Sequence, residues 1–531
     1  MDFDLVITKG KVIDGTGNPW FRADIGIKDG KIAKIGRLDQ ESARTTIDAK
    51  GSTLCPGFID MHSHDDLIFF RDIWNKPKLR QGVSTVVVGN CGISPAPVNK
   101  RTARELQNYL SILIPEGGVA IDWSSYGDFC RKLESLGSLG TNITGLVGHG
   151  TVRIAVLGMD TRDPSEEELG QMKELIAQSM REGALGMSTG LIYPPGAFTK
   201  TEELIELSKV VSEYGGLYAT HIRDEGNRVV EAVAEAIRIG REAALPVEIS
   251  HYKAMGRSNW GKTTETLRMI MEARREGIDV TADAYPYTAA STYLSSLLPP
   301  WAHQGGQEKL KQRCHDPEAK EELRRFIEER SDWQNPVKQA GWENIFLSYS
   351  SNYSRFEGMS VPEIAERLGK DPYEAVFQIL AQDGTSATMI LFLMNEADVE
   401  KVISHPYVMI GTDGIPDLGV GTPHPRAYGS FPRVLGTYAR DRKLMTIEDA
   451  IRKMTSQVAQ KLGLSTKGLI RQGFDADITI LDVDAIADKT TYHEPRSKPE
   501  GVEYVIVNGI VSIEKGELTG NAAGRVIIRK A

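Results

Sequence analysis

The feature that most constrains the fold is a repeated alternation of short apolar segments and amphipathic segments between residues 57 and 464. The apolar segments have the length of buried strands, and the stretches between them, such as 165–182 and 202–214, have helical periodicity. Seven strands are predicted at 83–88, 143–147, 184–188, 216–220, 247–250, 279–282 and 408–411. Segment 53–59 leads into a strand before them, which makes eight. Eight such units predict an α/β protein with a closed parallel (β/α)8 barrel of the TIM type.

Both ends of the chain show a different pattern, in which short alternating strands are separated by glycine turns. The Asp29-Gly30 step between two alternating runs predicts a β-hairpin. Two strand-rich ends that flank a different middle can pack together as one unit. We therefore expect a small β-sandwich domain from residues 1–56 and 465–531, and a barrel domain of residues 57–464.

A charged segment at residues 288–342 interrupts the alternation after the seventh strand. It contains a predicted helix at 318–329 and is much longer than a direct connection from strand to helix requires. Loops that follow barrel strands lie at the mouth of the barrel, so this insertion is predicted to be a lid. The alternative is a solvated helical decoration.

Composition excludes several classes of protein. The chain has 531 residues, and 63 Lys and Arg against 72 Asp and Glu give a formal charge of −9, which argues against a nucleic-acid partner. Its four cysteines form no CxxC pair and are too few for a disulfide framework, which fits a reducing compartment. The first residues lack the pattern of a signal peptide, and no apolar run has the length of a membrane span. We expect a cytoplasmic protein without a membrane partner.

Side chains that bind metals stand where the predicted strands end, on the side where barrel enzymes carry their chemistry. The first strand ends in His62-Ser63-His64, and the i, i+2 spacing directs both imidazoles to one face. The other candidates follow strands two, five, six and eight: Cys91, His221, His251 and Asp413. Each of the six alone has an ordinary explanation as a buried histidine, a buried thiol or a turn aspartate. Together, nitrogen, sulfur and carboxylate donors at one end of several strands predict a zinc site.

Four motifs carry a resemblance to a known family: PGFIDMHSH at 56–64, THIRDEG at 220–226, SHYK at 250–253 and GTDG at 411–414. Over essentially its whole length the chain resembles the amidohydrolase superfamily and, within it, the D-aminoacylase (N-acyl-D-amino-acid deacylase) branch. Many members of the superfamily bridge two metals with a carboxylated lysine on the fourth strand. Residues 183–197 contain no lysine, and Cys91 matches the strand-two cysteine of this branch.

The resemblance implies one tight zinc ion and a weaker or vacant second site. The implied ligands are Cys91, His221 and His251 for the first site, and His62, His64 and Asp413 for the second. The implied reaction is hydrolysis of the amide bond of an N-acyl-D-amino acid, for which zinc activates water and polarises the carbonyl. Asp413 is expected to take the proton from the water and to pass it to the leaving nitrogen. The preference for D substrates rests on the resemblance alone.

Residues for substrate binding are predicted beside these ligands. Lys253 and Arg426 match positions that bind the substrate carboxylate in the resembling family, and arginine offers a bidentate fork. Tyr285 and Tyr287, at the end of the seventh strand, either donate hydrogen bonds to the substrate or pack at the barrel mouth.

Other histidines receive different interpretations. His149 and Arg153 follow strand three, and His149 either contacts the substrate or supports the metal site. Four histidines outside the strand ends are interpreted as non-ligands: His303, His315, His405 and His493.

Four other interpretations are compatible with part of the pattern. A cyclic amidase of the hydantoin or dihydroorotate kind, or an aminohydrolase of a heterocycle, would use a similar metal site. The missing strand-four lysine argues against the cyclic amidase, and Lys253 with Arg426 favours an acyclic carboxylate over a neutral base. A hydrolase of dipeptides that contain a D-amino acid stays open. A catalytically inactive barrel would have no need for the six ligand candidates.

Overall fold

The computed structural model describes residues 1–38, 41–114, 118–417 and 419–529. The strands, in chain order, are β1 (Phe3–Val12), β2 (Phe21–Lys28), β3 (Lys31–Gly36), β4 (Ala43–Asp48), β5 (Thr53–Pro56), β6 (Phe58–Asp60), β7 (Val83–Val88), β8 (Asn142–Gly145), β9 (Val147–Gly148), β10 (Gly186–Gly190), β11 (Leu217–His221), β12 (Val247–Ile249), β13 (Val280–Ala284), β14 (Ala289–Tyr293), β15 (Ile345–Tyr349), β16 (Thr388–Phe392), β17 (Val408–Ile410), β18 (Ile478–Leu481), β19 (Val502–Val507), β20 (Ile510–Glu514) and β21 (Glu517–Leu518).

The α-helices are α1 (Lys76–Leu79), α2 (Ala103–Tyr109), α3 (Tyr126–Glu134), α4 (His149–Leu157), α5 (Glu166–Arg181), α6 (Thr201–Glu213), α7 (Val229–Ala243), α8 (Thr263–Arg275), α9 (Gln307–His315), α10 (Pro317–Glu329), α11 (Pro336–Ala340), α12 (Val361–Leu368), α13 (Pro372–Asp383), α14 (Glu396–Ser404), α15 (Arg426–Arg433), α16 (Ile447–Met454) and α17 (Ser456–Leu462). A π-helix, Val434–Asp441, continues α15. The three helices predicted from periodicity are confirmed as α5, α6 and α10. Helix α5 begins where Ser165 and Glu168 form a capping box.

Two parallel sheets form the centre of the molecule. One has the strand order β17-β13-β12-β11-β10-β9, and the other has the order β6-β7-β8. Strands β8 and β9 follow one another across Leu146. At the opposite edges, the Asp413 N–H donates to the His62 carbonyl at 2.7 Å. The seven strands predicted after the first are thus confirmed, and their carboxyl ends meet at one edge.

The predicted segment 53–59 is divided at Gly57 between two sheets. Strand β5 pairs with β18 in the sheet of the chain ends, whereas β6 pairs with β7 in the parallel sheet. A Cβ on Gly57 would overlap the Ser84 side chain, so glycine permits this close crossing.

Strands from both ends of the chain form one nine-stranded sheet. Its order is β21-β20-β19-β18-β5-β1-β2-β3, and β4 pairs with β1. The predicted hairpin is confirmed: Asp29 and Gly30, with φ of 49° and 73°, connect β2 to β3. A separate apolar cluster that includes Ile25, Ile480 and Ile506 fills the interior of this region.

The expected insertion extends further along the chain than residue 342. Strands β14, β16 and β15 form an antiparallel sheet, which makes residues 289–392 one structural unit. The unit has its own apolar cluster, with Leu297, Leu380 and Met389 fully buried. Among the helices in the described ranges, we find none with the length and apolarity needed to cross a bilayer.

Candidate metal centre

The six candidate ligands converge at the carboxyl ends of the parallel strands, and all of them are buried. Three of them have left-handed backbone conformations, with φ of 54° at Cys91, 35° at His251 and 48° at Asp413. Such a conformation costs a non-glycine residue about 1–3 kcal/mol and persists where the surroundings impose it, often at functional sites. The backbone therefore turns sharply at three of the strand ends that carry donor atoms.

One group of donors surrounds the sulfur of Cys91. Its Sγ lies 3.3 Å from Nε2 of His251 and 3.4 Å from Nε2 of His62. Oδ1 of Asp413 lies 3.5 Å from Nε2 of His62 and 3.2 Å from Nε2 of His64. One donor atom from each of His62, Cys91, His251 and Asp413 can be chosen so that all four lie within 4.8 Å of one another.

A second group is formed by His221, Glu225 and His251. Glu225 Oε2 lies 3.3 Å from His221 Nε2, and Oε1 lies 3.1 Å from His251 Nδ1. The Lys253 ammonium lies 2.5 Å from Glu225 Oε1 and 2.7 Å from His251 Nδ1. Glu225 was not among the predicted site residues, although it belongs to the THIRDEG motif.

The charges at the centre stabilise its anionic groups. Burial alone would raise the pKa of the Cys91 thiol, but the positive charges of His251 and His62 hold it well below its ordinary value. Burial also opposes ionisation of Glu225, yet Lys253, His221 and His251 hold its pKa well below the usual range. The centre therefore offers a thiolate and carboxylates, which are the forms that bind metal ions.

The centre fits a zinc ion by the chemistry of its donors. Neither ring nitrogen of the buried His221 has a hydrogen-bond partner among the described residues. A buried polar atom without a partner is costly, and a bound cation would satisfy it. Thiolate, imidazole and carboxylate together form a donor set that zinc accepts.

Three further side chains, Asp283, Asp60 and Lys78, hold the backbone and rings of the ligand-bearing strand ends. Asp283 Oδ2 lies 3.4 Å from His62 Nδ1, and Asp283 Oδ1 accepts a hydrogen bond from the His251 N–H at 2.8 Å. The buried Lys78 ammonium lies 2.7 Å from Asp60 Oδ2, and Asp60 Oδ1 accepts from the Thr412 N–H at 2.8 Å. These contacts join strand ends that are distant in sequence, so sequence reasoning did not identify them.

The predicted carboxylate-binding residues lie at the same centre. Nη1 of Arg426 lies 2.7 Å from Oδ2 of Asp413, and both side chains are buried. The Arg426 guanidinium lies 4.6 Å, and the Lys253 ammonium 5.6 Å, from the centroid of the Tyr285 ring. The Tyr285 hydroxyl is buried without a hydrogen-bond partner among the described residues. Arginine, lysine and phenol therefore meet at one corner.

A cavity of about 50 Å³ opens onto these groups. Its walls include His64, Cys91, His221, His251 and Asp413, together with Lys253, Arg426 and Tyr285. The remaining walls are largely apolar. Tyr193 stands edge-on to the His221 ring, with ring centroids 5.0 Å apart, and was not predicted from the sequence.

Two predicted substrate residues do not reach this cavity, and their contacts explain why. The His149 Nε2 lies 2.9 Å from Glu203 Oε1, and Arg153 lies 2.5 Å from the other oxygen of Glu203. The Tyr287 hydroxyl donates to Asp488 at 2.9 Å. Neither His149 nor Tyr287 is among the described residues that line the cavity. The four histidines interpreted as non-ligands are also outside both donor groups within the described ranges.

Known proteins with similar sequences are amidohydrolases. The profile of the Amidohydrolase family matches residues 45–513. A D-aminoacylase of Alcaligenes xylosoxydans xylosoxydans is 37% identical over 529 residues, which cover 100% of this chain and 98% of the relative. An N-acyl-D-glutamate deacylase of the same organism is 36% identical, over 99% of this chain and 97% of the relative.

Two solved structures are similar over the whole chain. A D-aminoacylase with a binuclear metal centre has a TM-score of 0.85 and 36% identity, over 99% of this chain and 100% of its own. An N-acyl-D-glutamate deacylase from Bordetella bronchiseptica, in complex with zinc and a phosphonate inhibitor, has a TM-score of 0.85 and 34% identity, over 100% of both chains. The chain therefore shares the α/β fold of these structures.

Proposed function

The chain belongs to the amidohydrolase family, and on this premise we propose that it is a zinc-dependent N-acyl-D-amino-acid deacylase that releases a carboxylate and a free D-amino acid. The main support for the proposal is that metal-binding side chains and carboxylate-binding side chains line the same cavity. A thiolate, imidazoles and Asp413 stand beside a corner formed by Lys253, Arg426 and Tyr285. The first set suits a metal ion, and the second suits the carboxylate of an amino acid.

Two zinc sites of unequal strength are proposed. The first would use Cys91, His221 and His251, and the second would use His62, His64 and Asp413. A zinc ion at this centre supplies Lewis acidity, which polarises an amide carbonyl and makes water a stronger nucleophile. The placement of Cys91 Sγ between imidazoles of both sets, at 3.3 and 3.4 Å, supports a shared thiolate.

Asp413 is proposed as the group that moves the proton. Burial would raise the pKa of its carboxyl, but Arg426, His251 and a hydrogen bond from His64 hold that pKa well below the ordinary value. The side chain is therefore ionised and can accept a proton from the attacking water. Delivery of this proton to the amide nitrogen turns that nitrogen into a leaving amine, as general acid and base catalysis requires.

The Lys253, Arg426 and Tyr285 corner is proposed to bind the substrate carboxylate. Charge-assisted hydrogen bonds to a carboxylate are roughly twice as strong as neutral ones, and a planar guanidinium fixes the direction of approach. Anchoring one end of the substrate holds its amide carbon in place against the nucleophile.

We also propose how the sheets and the two ends of the chain are arranged into domains. The two parallel sheets would close into an eight-stranded barrel through the contact of Asp413 with His62 at one seam and the continuity of β8 and β9 at the other. Residues 1–56 and 465–531 would form the small β-sandwich domain beside the barrel of residues 57–464. The inserted unit after β13, which includes residues 288–342, would cover the mouth.

A chiral substrate panel tests the proposed function. Purified protein is incubated with N-acetyl-D- and N-acetyl-L-amino acids, with and without added zinc, and the free amino acid is quantified. We expect release from D substrates, lost on chelation and restored by zinc. Turnover of dihydropyrimidines or hydantoins without any release from D substrates would instead support a cyclic amidase. Cleavage confined to D-containing dipeptides would identify a dipeptide hydrolase.

A further inference from the structure

We infer that the preferred substrates carry a neutral, apolar side chain, and that N-acyl-D-glutamate and N-acyl-D-aspartate are poor substrates. This inference rests on the proposed function and names its substrate class. The matched relatives include both a D-aminoacylase and an N-acyl-D-glutamate deacylase, at 37% and 36% identity, so overall similarity does not separate the two preferences. The charged groups and the apolar lining of the cavity favour an apolar side chain over an acidic one.

Both cations of the cavity already have carboxylate partners. Lys253 and Arg426 are the only lysine or arginine among the described residues that line it. Lys253 lies 2.5 Å from Glu225, and Arg426 lies 2.7 Å from Asp413. The α-carboxylate of the substrate must share these two cations with two resident carboxylates. No third cation in the described lining is left for a side-chain carboxylate.

Much of the remaining lining of the cavity is apolar. It includes six aliphatic or thioether side chains: Ile93, Ile112, Ile192, Met389, Leu391 and Ile415. Four of them, Ile93, Ile112, Met389 and Leu391, are buried. A hydrocarbon or thioether side chain gains free energy by leaving water for such a surface, whereas a carboxylate loses hydration without compensation.

A second chamber of about 50 Å³ adjoins the first and shares Ile112, Ser291, Ile415 and Arg426 with it. In this assignment the acyl group and the side chain of the substrate occupy the two adjoining chambers. Apart from Arg426, the described lining of the second chamber contains no lysine or arginine. It does contain Asp417, but Arg496 binds both oxygens of this carboxylate, at 2.7 and 2.8 Å.

Three hydroxyl groups of the second chamber are already engaged. The hydroxyls of Ser111, Ser348 and Ser386 each donate to a backbone carbonyl, at 3.1, 2.8 and 2.9 Å. Burial and the charge of Arg426 hold the pKa of His424 well below its ordinary value, so this imidazole is neutral. A side-chain carboxylate would therefore find no charged donor in the described lining of either chamber that is not already paired with a carboxylate.

Steady-state kinetics on matched substrates test the inference. We would measure kcat/KM of the zinc-loaded protein for the N-acetyl-D forms of leucine, methionine, phenylalanine, glutamine, glutamate and aspartate. We expect leucine, methionine and phenylalanine to exceed glutamate and aspartate by at least 100-fold. Glutamine has nearly the shape of glutamate, so a higher value for glutamine assigns the difference to charge. A ratio of leucine to glutamate below 100 would overturn the inference.

A substitution at the apolar wall provides a second test. Ile415 is only partly buried and lines both chambers, so a long polar side chain can be placed there with little disturbance of the core. We expect Ile415→Arg to raise the ratio of kcat/KM for glutamate over leucine by at least 10-fold. The matched control Ile415→Gln should leave this ratio within about 3-fold of the value for the unmodified protein. A change of about 3-fold is small compared with the effect of a buried pair of opposite charges.

The outcomes separate this inference from the proposed function. Hydrolysis of N-acetyl-D-amino acids with a leucine-to-glutamate ratio of kcat/KM below 100 would refute the side-chain preference and leave the deacylase activity established. Failure to cleave any N-acetyl-D-amino acid would refute the proposed function, and the side-chain preference with it.

Discussion

The Arg426 guanidinium lies 2.7 Å from the Asp413 carboxylate, with both side chains buried beyond the carboxyl end of β17. An uncompensated buried carboxylate would be strongly disfavoured, so Arg426 keeps the proposed proton carrier ionised. The same guanidinium lines the cavity and flanks Tyr285. In the proposed mechanism, one arginine therefore serves both the reacting group and the substrate-binding corner.

Replacement of this arginine should weaken substrate carboxylate binding. We expect Arg426→Gln to lower kcat/KM for N-acetyl-D-leucine by at least about 100-fold, because a bidentate, charge-assisted contact is lost. The control substrate is N-acetyl-3-methylbutylamine, which lacks only the carboxylate. Its smaller kcat/KM should fall by a clearly lower factor. Equal losses with the two substrates would mean that Arg426 acts through Asp413 alone.

Glu225 should contribute to zinc affinity through the histidines that it contacts. Its carboxylate lies 3.1 Å from Nδ1 of His251, on the ring nitrogen opposite the one that approaches Cys91. A carboxylate behind a histidine ligand fixes the ring and raises its basicity, and loss of such a partner typically weakens metal binding by about 10–100-fold. We expect a loss of this size for Glu225→Gln, measured by competition with a chromogenic zinc chelator.

Glu203 supplies the matched control for this experiment. It is also a buried carboxylate that contacts a histidine and a cation, His149 at 2.9 Å and Arg153 at 2.5 Å. Neither partner belongs to the two donor groups in the described part of the chain. Glu203→Gln should therefore keep the zinc affinity of the unmodified protein. Similar losses in both variants would assign the effect to general destabilisation.

Cys91 should be visible spectroscopically as a metal ligand. Cobalt(II) substituted for zinc gives a thiolate-to-metal charge-transfer band in the near ultraviolet only when sulfur is bound. We expect this band in the unmodified protein and in Cys130→Ser, and its absence in Cys91→Ser. Cys130 is a suitable control because burial raises the pKa of its thiol to about 12. Persistence of the band in Cys91→Ser would exclude this sulfur as a ligand.

Local sequence patterns predicted the parallel strands well because buried strands are short continuous apolar runs, whatever their neighbours. The division of segment 53–59 at Gly57 depends instead on the pairing of β5 with β18, more than 400 residues away in the chain. The first strand of the antiparallel sheet in the insertion was missed for a different reason, which is local. Strand β14, Ala289–Tyr293, has the sequence AASTY, which lacks the apolar alternation that identifies a strand.

Site residues were also easier to predict from the sequence when their position depended on local structure than when it depended on distant contacts. Candidate ligands could be identified because each strand end places its own side chain at the carboxyl edge of the parallel sheets. Glu225 lies four residues beyond the end of β11, so its contact with His251 depends on the path of a loop. Tyr287 and His149 also lie near strand ends, but Asp488 and Glu203, far along the chain, bind them away from the cavity.

A buried lysine outside the site should make stability depend on pH. Lys453 is 2% exposed and donates to the His405 carbonyl, and burial lowers its pKa from 10.5 to about 7. Between pH 7 and 10 the unfolded chain therefore holds a proton on this lysine that the folded protein has released. Stability rises with pH wherever the unfolded state binds more protons, here by at most about 1.4 kcal/mol per pH unit.

Lys453→Met should remove this dependence because methionine keeps much of the length of the side chain and has no proton to release. We expect the variant to gain most in apparent melting temperature, relative to the unmodified protein, near pH 7, and the gain to shrink steadily towards pH 10. Measurements at one fixed scan rate allow comparison even if unfolding is irreversible. The exposed Lys370 provides the control, since Lys370→Met should shift the melting temperature equally at each pH. A difference between Lys453→Met and the unmodified protein that does not change from pH 7 to pH 10 would show that Lys453 is charged in the folded state.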